Sequence, residues 1–207
     1  MNYDEVKELA LAYADREKDT EILAKIDLFI RVTEARVNRV LKVQKMSVRT
    51  QIMTVLDQEY YGLPLDFSGL RDIEIRTDDT AQDRITLQYL SPEQMNDAAK
   101  RGATSKKIFY TIIANQLQIY PTQDNKLLEL VYYSKVPALN SANAINWMAL
   151  DNPDVYLFGI MVEISAFVKD AAAAQLWDTR FVAAMEEIHH DDKLTRWSGT
   201  SLYTKVG

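Results

Sequence analysis

Apolar residues in the first third of the chain recur every three or four positions, the spacing of one face of an α-helix. A short helix is predicted from Tyr3 to about Asp15, with Val6 and Tyr13 on its apolar side. A longer helix follows Asp19 or Thr20, either of which can cap its N-terminus. We therefore expect helices over residues from about 2 to 45.

The middle of the chain instead alternates apolar and polar residues, which is typical of strands with one buried face. The segments with this pattern are VRTQIMTVLD, RDIEIRTD, RITLQYL, KIFYTII, QLQIYP and LLELVYY, and the last three are predicted to form a meander. GLPLDFSGL and TDDTAQD are predicted to be turn-rich connections. SPEQMNDAAKRG is predicted to be a short helix, because Ser91 can cap it, Pro92 suits its first position and Gly102 can end it. The β-rich insertion is expected at about residues 48–135.

Helical spacing returns after Asn152, which can cap a helix that has Pro153 at its first position. Two helices are predicted within about 152–194, the second beginning near Asp170 or Ala171. The polar tail at 195–207 is expected to be flexible.

The order of these segments predicts an α+β fold, in which a mainly α-helical bundle of N- and C-terminal helices carries an inserted antiparallel β region. We interpret the 207 residues as a single domain, 1–207. A hydrophobic share of 47% can form a core without disulfides, and the chain has no cysteine.

The formal net charge of −6 disfavours general nucleic-acid binding, because affinity for DNA comes mainly from Lys and Arg that neutralise phosphates. No apolar run approaches the roughly 20 residues that cross a bilayer, so no membrane partner is expected. The N-terminal MNYDEVKELALAY lacks the basic and apolar regions of a secretory signal.

Motifs of catalysis are sparse. The phosphate-binding patterns GxGxxG and GxxxxGK[ST] and the nucleophile pattern GxSxG are absent, and no catalytic residue or cofactor is expected. One alternative is a small metal-dependent enzyme that uses Glu186, His189, His190 and Asp191, because histidine and carboxylates can hold a metal. The other interpretation of this cluster is a solvent-exposed helix end, where histidine complements the helix dipole.

A basic stripe is predicted on the second helix, opposite its apolar face, and consists of Arg31, Arg39, Lys42 and Lys45. A DNA-binding regulator is therefore a second alternative. A solvated helix face is the more common outcome. The acidic character of the whole chain disfavours autonomous DNA binding, which leaves pairing of these basic residues with acidic patches on a neighbouring protein.

The stretch YYSKVPALNSANAINWMALDNPDVYLF is rich in aromatic residues and proline but has no evident chemistry. Aromatic side chains bury large areas and keep a polar end, so they suit both cores and interfaces. We interpret the stretch as a joint between subunits, with closure of the core as the alternative. The candidate interface residues, which include two in the C-terminal tail, are Tyr132, Tyr133, Lys135, Pro137, Leu139, Asn146, Trp147, Trp197 and Tyr203.

An ordered series of short motifs begins at Leu63 and continues into the last third of the chain: LPLDF, YTIIANQLQIYP, LELVYYSKVPALN, NW and PDVYLFG. From about Leu63 to Trp177 this series resembles the head-to-tail adaptor proteins of tailed bacteriophages. The resemblance implies a structural virion protein without catalytic residues or cofactors, built as a helical bundle with an inserted β region.

The resemblance also implies a location and partners. Such adaptors form a ring, typically a dodecamer, below the portal protein, extend the DNA channel and dock tail or nozzle proteins during tail assembly. DNA would pass through the lumen during ejection without sequence-specific binding. The protein would be made in the host bacterial cytoplasm and reside in the virion, at the head–tail junction.

Overall fold

The computed structural model describes residues 1–77, 83–102 and 107–197, and the chain forms two compact units. One unit contains Met1–Lys45 and the chain from Val136 onward, and it is helical. The other contains Met46–Lys135 and holds all the strands of the described residues. This arrangement confirms the predicted α+β fold, with the β region inserted between N- and C-terminal helices.

Five helices of the described residues belong to the helical unit and one to the strand-rich unit. They are α1 (Tyr3–Tyr13), α2 (Thr20–Val40), α3 (Pro92–Arg101, in the strand-rich unit), α4 (Trp147–Asp151), α5 (Pro153–Phe167) and α6 (Ala171–Trp197). A 3₁₀ turn occupies Gln44–Met46. No helix of these described parts is long and apolar enough to cross a membrane.

Local capping signals explain the starts of several helices. Asp19 caps α2, and Ser91 forms a capping box at α3, as predicted. Asn152 occupies the N-cap position of α5 and Pro153 its first position, as predicted, but the Asn152 side chain makes no capping hydrogen bond. Asn146 caps the unpredicted short helix α4 instead, by accepting a hydrogen bond from the Ala149 amide at 2.8 Å. From the sequence, a single helix start was predicted at Asn152, because the short helix α4 was not distinguished from α5, which follows it directly.

Two helix ends differ from the prediction. Helix α2 ends at Val40, because Leu41 already has an extended backbone, so residues 41–45 do not continue the helix. Helix α6 continues to Trp197, beyond the predicted end near residue 194. The remainder of the predicted flexible tail lies outside the described residues.

Helix α5 is the centre of the helical unit and packs against α1, α2, α4 and α6. Its buried residues point in almost every direction, as expected for a helix surrounded by others; they are Val155, Tyr156, Leu157, Gly159, Ile160, Met161, Ile164 and Ser165. Gly159 marks a close approach of α5 to its neighbours. A Cβ atom there would lie 2.3 Å from Thr33 Cγ2 and 3.1 Å from Phe181 Cε2.

We expect Gly159→Ala to destabilise the helical unit by about 1–2 kcal/mol, because overpacking costs more than the gain in helix propensity. Thr33 is buried and branched at Cβ, so it cannot easily move away. Denaturant unfolding measures the change, and adding Thr33→Ala should recover part of it. Gly62→Ala is the control, since an added Cβ meets nothing within 4 Å there. Equal effects at both glycines would contradict the close helix crossing.

The strand-rich unit contains two four-stranded sheets. Its strands are β1 (Ser47–Met53), β2 (Tyr60–Gly62), β3 (Phe67–Arg76), β4 (Ile85–Thr86), β5 (Gln88–Tyr89), β6 (Phe109–Ile113), β7 (Gln116–Tyr120) and β8 (Leu127–Ser134). The strand orders are β1-β8-β3-β4 and β2-β7-β6-β5, and all pairs are antiparallel except the parallel pair β5–β6. Side chains from both sheets form one core, which includes Leu117, Ile119, Leu128 and Leu130.

The predicted meander of the last three strands is wrong. Strands β6 and β7 form a hairpin, but β8 leaves it and pairs with β1 and β3 in the other sheet. The segment RITLQYL is not one strand either, because β4 pairs with β3 whereas β5 pairs with β6. The predicted turn GLPLDFSGL also extends into β3, which begins at Phe67. Alternation identifies residues of strand character, but it does not determine their partners.

An ion cluster centred on the buried Glu129 joins three strands of the sheet β1-β8-β3-β4. Glu129 on β8 accepts hydrogen bonds from Arg76 Nη2 on β3 at 2.7 Å and from Arg49 Nη2 on β1 at 2.5 Å. The Glu129 and Arg76 side chains are 8% and 5% exposed. The hydrogen bond from Arg49, together with Gln51 and the charge of Arg76, holds the pKa of Glu129 below its ordinary value despite burial.

Candidate interaction surface

The segment 136–146, called here the proline loop, is fixed to α2 by two polar side chains on that helix. The Val136 amide donates to Asn38 Oδ1 at 2.8 Å, and the Leu139 amide donates to Glu34 Oε1 at 2.6 Å. A third tie comes from the start of α1, where the Tyr3 amide donates to the Ala144 carbonyl at 2.8 Å. The loop therefore has a defined position although it lacks regular secondary structure.

A buried hydrogen-bond network continues from Glu34 into the loop and α5. Tyr156 Oη donates to Glu34 Oε1 at 2.8 Å, and Asn146 Nδ2 donates to Tyr156 Oη at 2.8 Å and to the Pro137 carbonyl at 2.6 Å. Burial raises the pKa of Glu34, although its hydrogen bonds from Leu139 and Tyr156 oppose this shift. Burial and the nearby Glu34 charge raise the pKa of Tyr156 well above its ordinary range. The phenol therefore acts as a neutral donor.

Glu34 and Asn38 are not among the residues predicted from the sequence. Both lie on α2, and Glu34 is buried between the core positions Ile30 and Val37. The sequence did contain a signal for Glu34, because this carboxylate occupies a position where the helical repeat places apolar residues. A buried acid at such a position needs hydrogen-bond partners.

The predicted interface residues after Val136 fall into two groups. Leu139 and Asn146 are buried, so in the isolated chain they hold the loop and do not form its surface. Pro137 is exposed and Trp147, the first residue of α4, is half-buried. These two side chains are available to a partner.

The predicted interface residues before Val136 belong to the strand-rich unit. Tyr132 is buried, stacks on Phe67 with ring centroids 5.7 Å apart and donates to Asp66 Oδ1 at 3.0 Å. Its pKa is raised by burial and by this hydrogen bond. Tyr133 is half-buried and Lys135 is exposed. The structure therefore does not place all the candidates in one compact unit.

Trp197 is the last residue of α6, and Tyr203 lies outside the described residues.

The predicted basic stripe does not remain together, because α2 ends before two of its members. Arg31 and Arg39 are exposed on α2. Lys42 is half-buried, its Nζ donates to the carbonyls of Asn38 and Leu41, and burial lowers its pKa. Lys45 forms an ion pair with Asp151, and its Nζ lies 5.5 Å from the centroid of the Trp147 ring. Only the two arginines retain the predicted geometry.

A cleft of about 630 Å³ opens in the helical unit beside Trp147. We call it the acidic cleft. It is lined by Val43, Gln44, Lys45, Trp147, Asp151, Asn152, Asp154, Ala184, Glu187, Ile188, Asp191, Asp192 and Thr195. One wall is α6, where Asp192 accepts from the Gln44 amide at 2.6 Å and pairs with Arg196 at 2.8 Å. The cleft combines an indole, apolar side chains and an excess of carboxylates.

The candidate metal cluster lies on the same part of α6. Glu186, His190 and Asp191 are exposed and His189 is half-buried. Across residues 1–77, 83–102 and 107–197, no three histidine, aspartate or glutamate side chains are arranged to hold a metal ion.

The arrangement as a whole presents surfaces for contact: a fixed loop, a tryptophan at its end and a cleft beside that tryptophan. Comparison with known proteins agrees with a structural role. The family model described as SU10 adaptor protein matches residues 1–203, and no curated protein matches the sequence. The resemblance seen in the motifs is thereby confirmed, and the chain belongs to the SU10 adaptor family of phage head-to-tail adaptor proteins.

Proposed function

We propose that this protein forms a ring of about twelve copies below the portal of a tailed phage, extends the DNA channel and docks tail proteins. A closed ring has heterologous contacts, so each copy needs two different adhesive surfaces. Family membership over residues 1–203 supports the structural role at the head–tail junction.

The observation that best supports an assembly surface is the fixed proline loop. A segment already held by Glu34, Asn38 and Asn146 loses little conformational entropy when it binds a partner. The loop presents Pro137, which is exposed, and is followed directly by Trp147, which is half-buried. These two side chains resemble the rigid anchors that contribute most of the binding energy at protein interfaces. Leu139 and Asn146 support these anchors from below.

Replacing Trp147 with alanine is expected to weaken ring assembly by on the order of 30-fold, the effect of losing one strong interface anchor. The test mixes the full chain with purified portal protein of the same phage and counts rings by native mass spectrometry. The variant monomer should keep its circular dichroism spectrum, because the indole is only half-buried.

Asn146→Ala is the comparison variant for this test. It removes the α4 cap and the bonds to Pro137 and Tyr156, so it should reduce both folding and assembly. If Trp147→Ala unfolds the monomer as Asn146→Ala does, Trp147 belongs to the core. If a folded Trp147→Ala variant still forms normal rings, the end of the proline loop is not part of the interface.

A further inference from the structure

The outward surface of α2 is an exposed helix face without a partner in the described chain. Five residues fall within an arc of about 100° on the helix and are all exposed: Leu28, Arg31, Val32, Ala35 and Arg39. We call them the outer face of α2. Leu28 and Val32 are 46% and 37% exposed, and neither arginine forms an ion pair with any residue that the structure describes. The face therefore combines uncovered apolar area with two uncompensated positive charges.

The acidic cleft has the opposite charge and a similar apolar content. Asp154, Glu187 and Asp191 line it, and none forms an ion pair within residues 1–77, 83–102 and 107–197. Trp147 and Ile188 supply its apolar wall.

Lys45 shows which chemistry the cleft accepts. Its ammonium group pairs with Asp151 and lies 5.5 Å from the indole centroid, an arrangement in which a carboxylate and an aromatic ring together stabilise a cation. An arginine side chain from outside would find the same combination beside the carboxylates that remain unpaired.

One copy cannot bring the centre of this face to its own cleft. Arg31 lies about 13 Å along the helix axis from Val40, where α2 ends. No residue of α2 lines the cleft, and the segment that follows this helix contributes only from Val43 onward. This separation is greater than the length of an arginine side chain.

We propose that the outer face of α2 docks into the acidic cleft of the next copy, a pairing that rests on the ring function proposed above. The contact is heterologous, because a helix face on one copy meets a cleft on another, and repetition of it can close a ring. Opposite charges fix the register of the contact and the apolar side chains supply buried area.

Charge reversal on either surface tests the pairing. Arg31→Glu/Arg39→Glu and Glu187→Lys/Asp191→Lys should each reduce ring formation on the portal more than tenfold, and the loss should change with salt concentration. All four positions are exposed, so both variants should remain folded.

A one-to-one mixture of the two variants gives the sharper result. In an alternating ring, every reversed helix face meets a reversed cleft, and every native face meets a native cleft. The mixture should therefore form rings that neither variant forms alone. Absence of this rescue, with both variants folded, would overturn the pairing.

Disulfide crosslinking provides an independent readout, because the chain contains no cysteine. In assembled rings, oxidation of Val32→Cys/Glu187→Cys should produce a ladder of covalent oligomers, since each copy links to two neighbours. Either single variant should give no ladder. If intact rings of the double-cysteine variant give no ladder after oxidation, the proposed contact is contradicted.

These outcomes separate the two proposals. Failure of the native chain to assemble on the portal at all would count against the ring function itself. Rings that tolerate both charge reversals would retain that function and overturn only the pairing. Loss of DNA retention in Arg31→Glu/Arg39→Glu with unchanged rings would assign the outer face of α2 to DNA and likewise overturn it.

Discussion

Replacing Glu34 with alanine is expected to lower the free energy of unfolding of the helical unit by about 2–5 kcal/mol, because two buried donors lose their acceptor. The Leu139 amide and Tyr156 Oη both donate to Glu34 Oε1. Neither donor can reach bulk water easily, since Leu139 and Tyr156 are 2% exposed. Chemical denaturation followed by circular dichroism measures the loss.

The same substitution should release the proline loop. Hydrogen exchange of amides in residues 136–146 should become faster in Glu34→Ala than in the native chain, because this bond ties the middle of the loop to α2. Assembly on the portal should decline with it, as the loop loses its preorganisation.

Glu34→Gln is the matched control, because it retains a side-chain oxygen that accepts both hydrogen bonds. Burial raises the pKa of Glu34 above its ordinary value of 4.5, so the folded chain binds this proton more readily than the unfolded chain. The native chain should therefore gain stability relative to Glu34→Gln as the pH falls towards 4.5, and the gain should level off below it. An unchanged difference across this range, or a Gln variant as unstable as the Ala variant, would contradict the network.

Replacing Glu129 with alanine is expected to cost the strand-rich unit about 3–5 kcal/mol, because it removes the carboxylate that compensates a buried guanidinium. Glu129 lies on β8, between β1 and β3, and binds an arginine from each of those strands. Hydrogen exchange should become faster in all three strands. Denaturant unfolding provides the free energy.

Glu74→Ala is the control for this prediction. Glu74 lies directly opposite Glu129 on β3 and pairs with Arg84 at 3.1 Å, but that arginine is 49% exposed. Exposed ion pairs contribute at most about 1 kcal/mol, so the control should be nearly silent. Comparable losses in the two variants would show that burial of the Glu129 cluster has no energetic role.

The pH dependence of Glu129 has the opposite sign to that of Glu34. Its pKa is lowered, first by the hydrogen bond from Arg49, so its contribution is fully present above the ordinary value of 4.5 and is lost as the pH falls through the lowered value. Acid should therefore weaken the native chain relative to Glu129→Gln. A relative gain in acid would contradict the ion cluster.

The sequence by itself determined the features that depend on near neighbours. Ser91, Pro92 and Gly102 mark both ends of α3, because a helix terminus is satisfied by side chains within one turn of it. The alternation of apolar and polar residues located β1, β3 and β8, because successive side chains of a strand point to opposite faces of the sheet. The motif series likewise led to the adaptor family, which the match over residues 1–203 confirms.

Only the tertiary structure decided which distant groups meet. The placement of β8 between β1 and β3, the contact of Glu34 with Leu139 and the pairing of Lys45 with Asp151 each join positions far apart in the chain. Helical or strand spacing specifies which face a residue occupies, but many partners satisfy the same face. The choice among them follows from close packing and from hydrogen-bond satisfaction of the whole buried set, which no local segment contains.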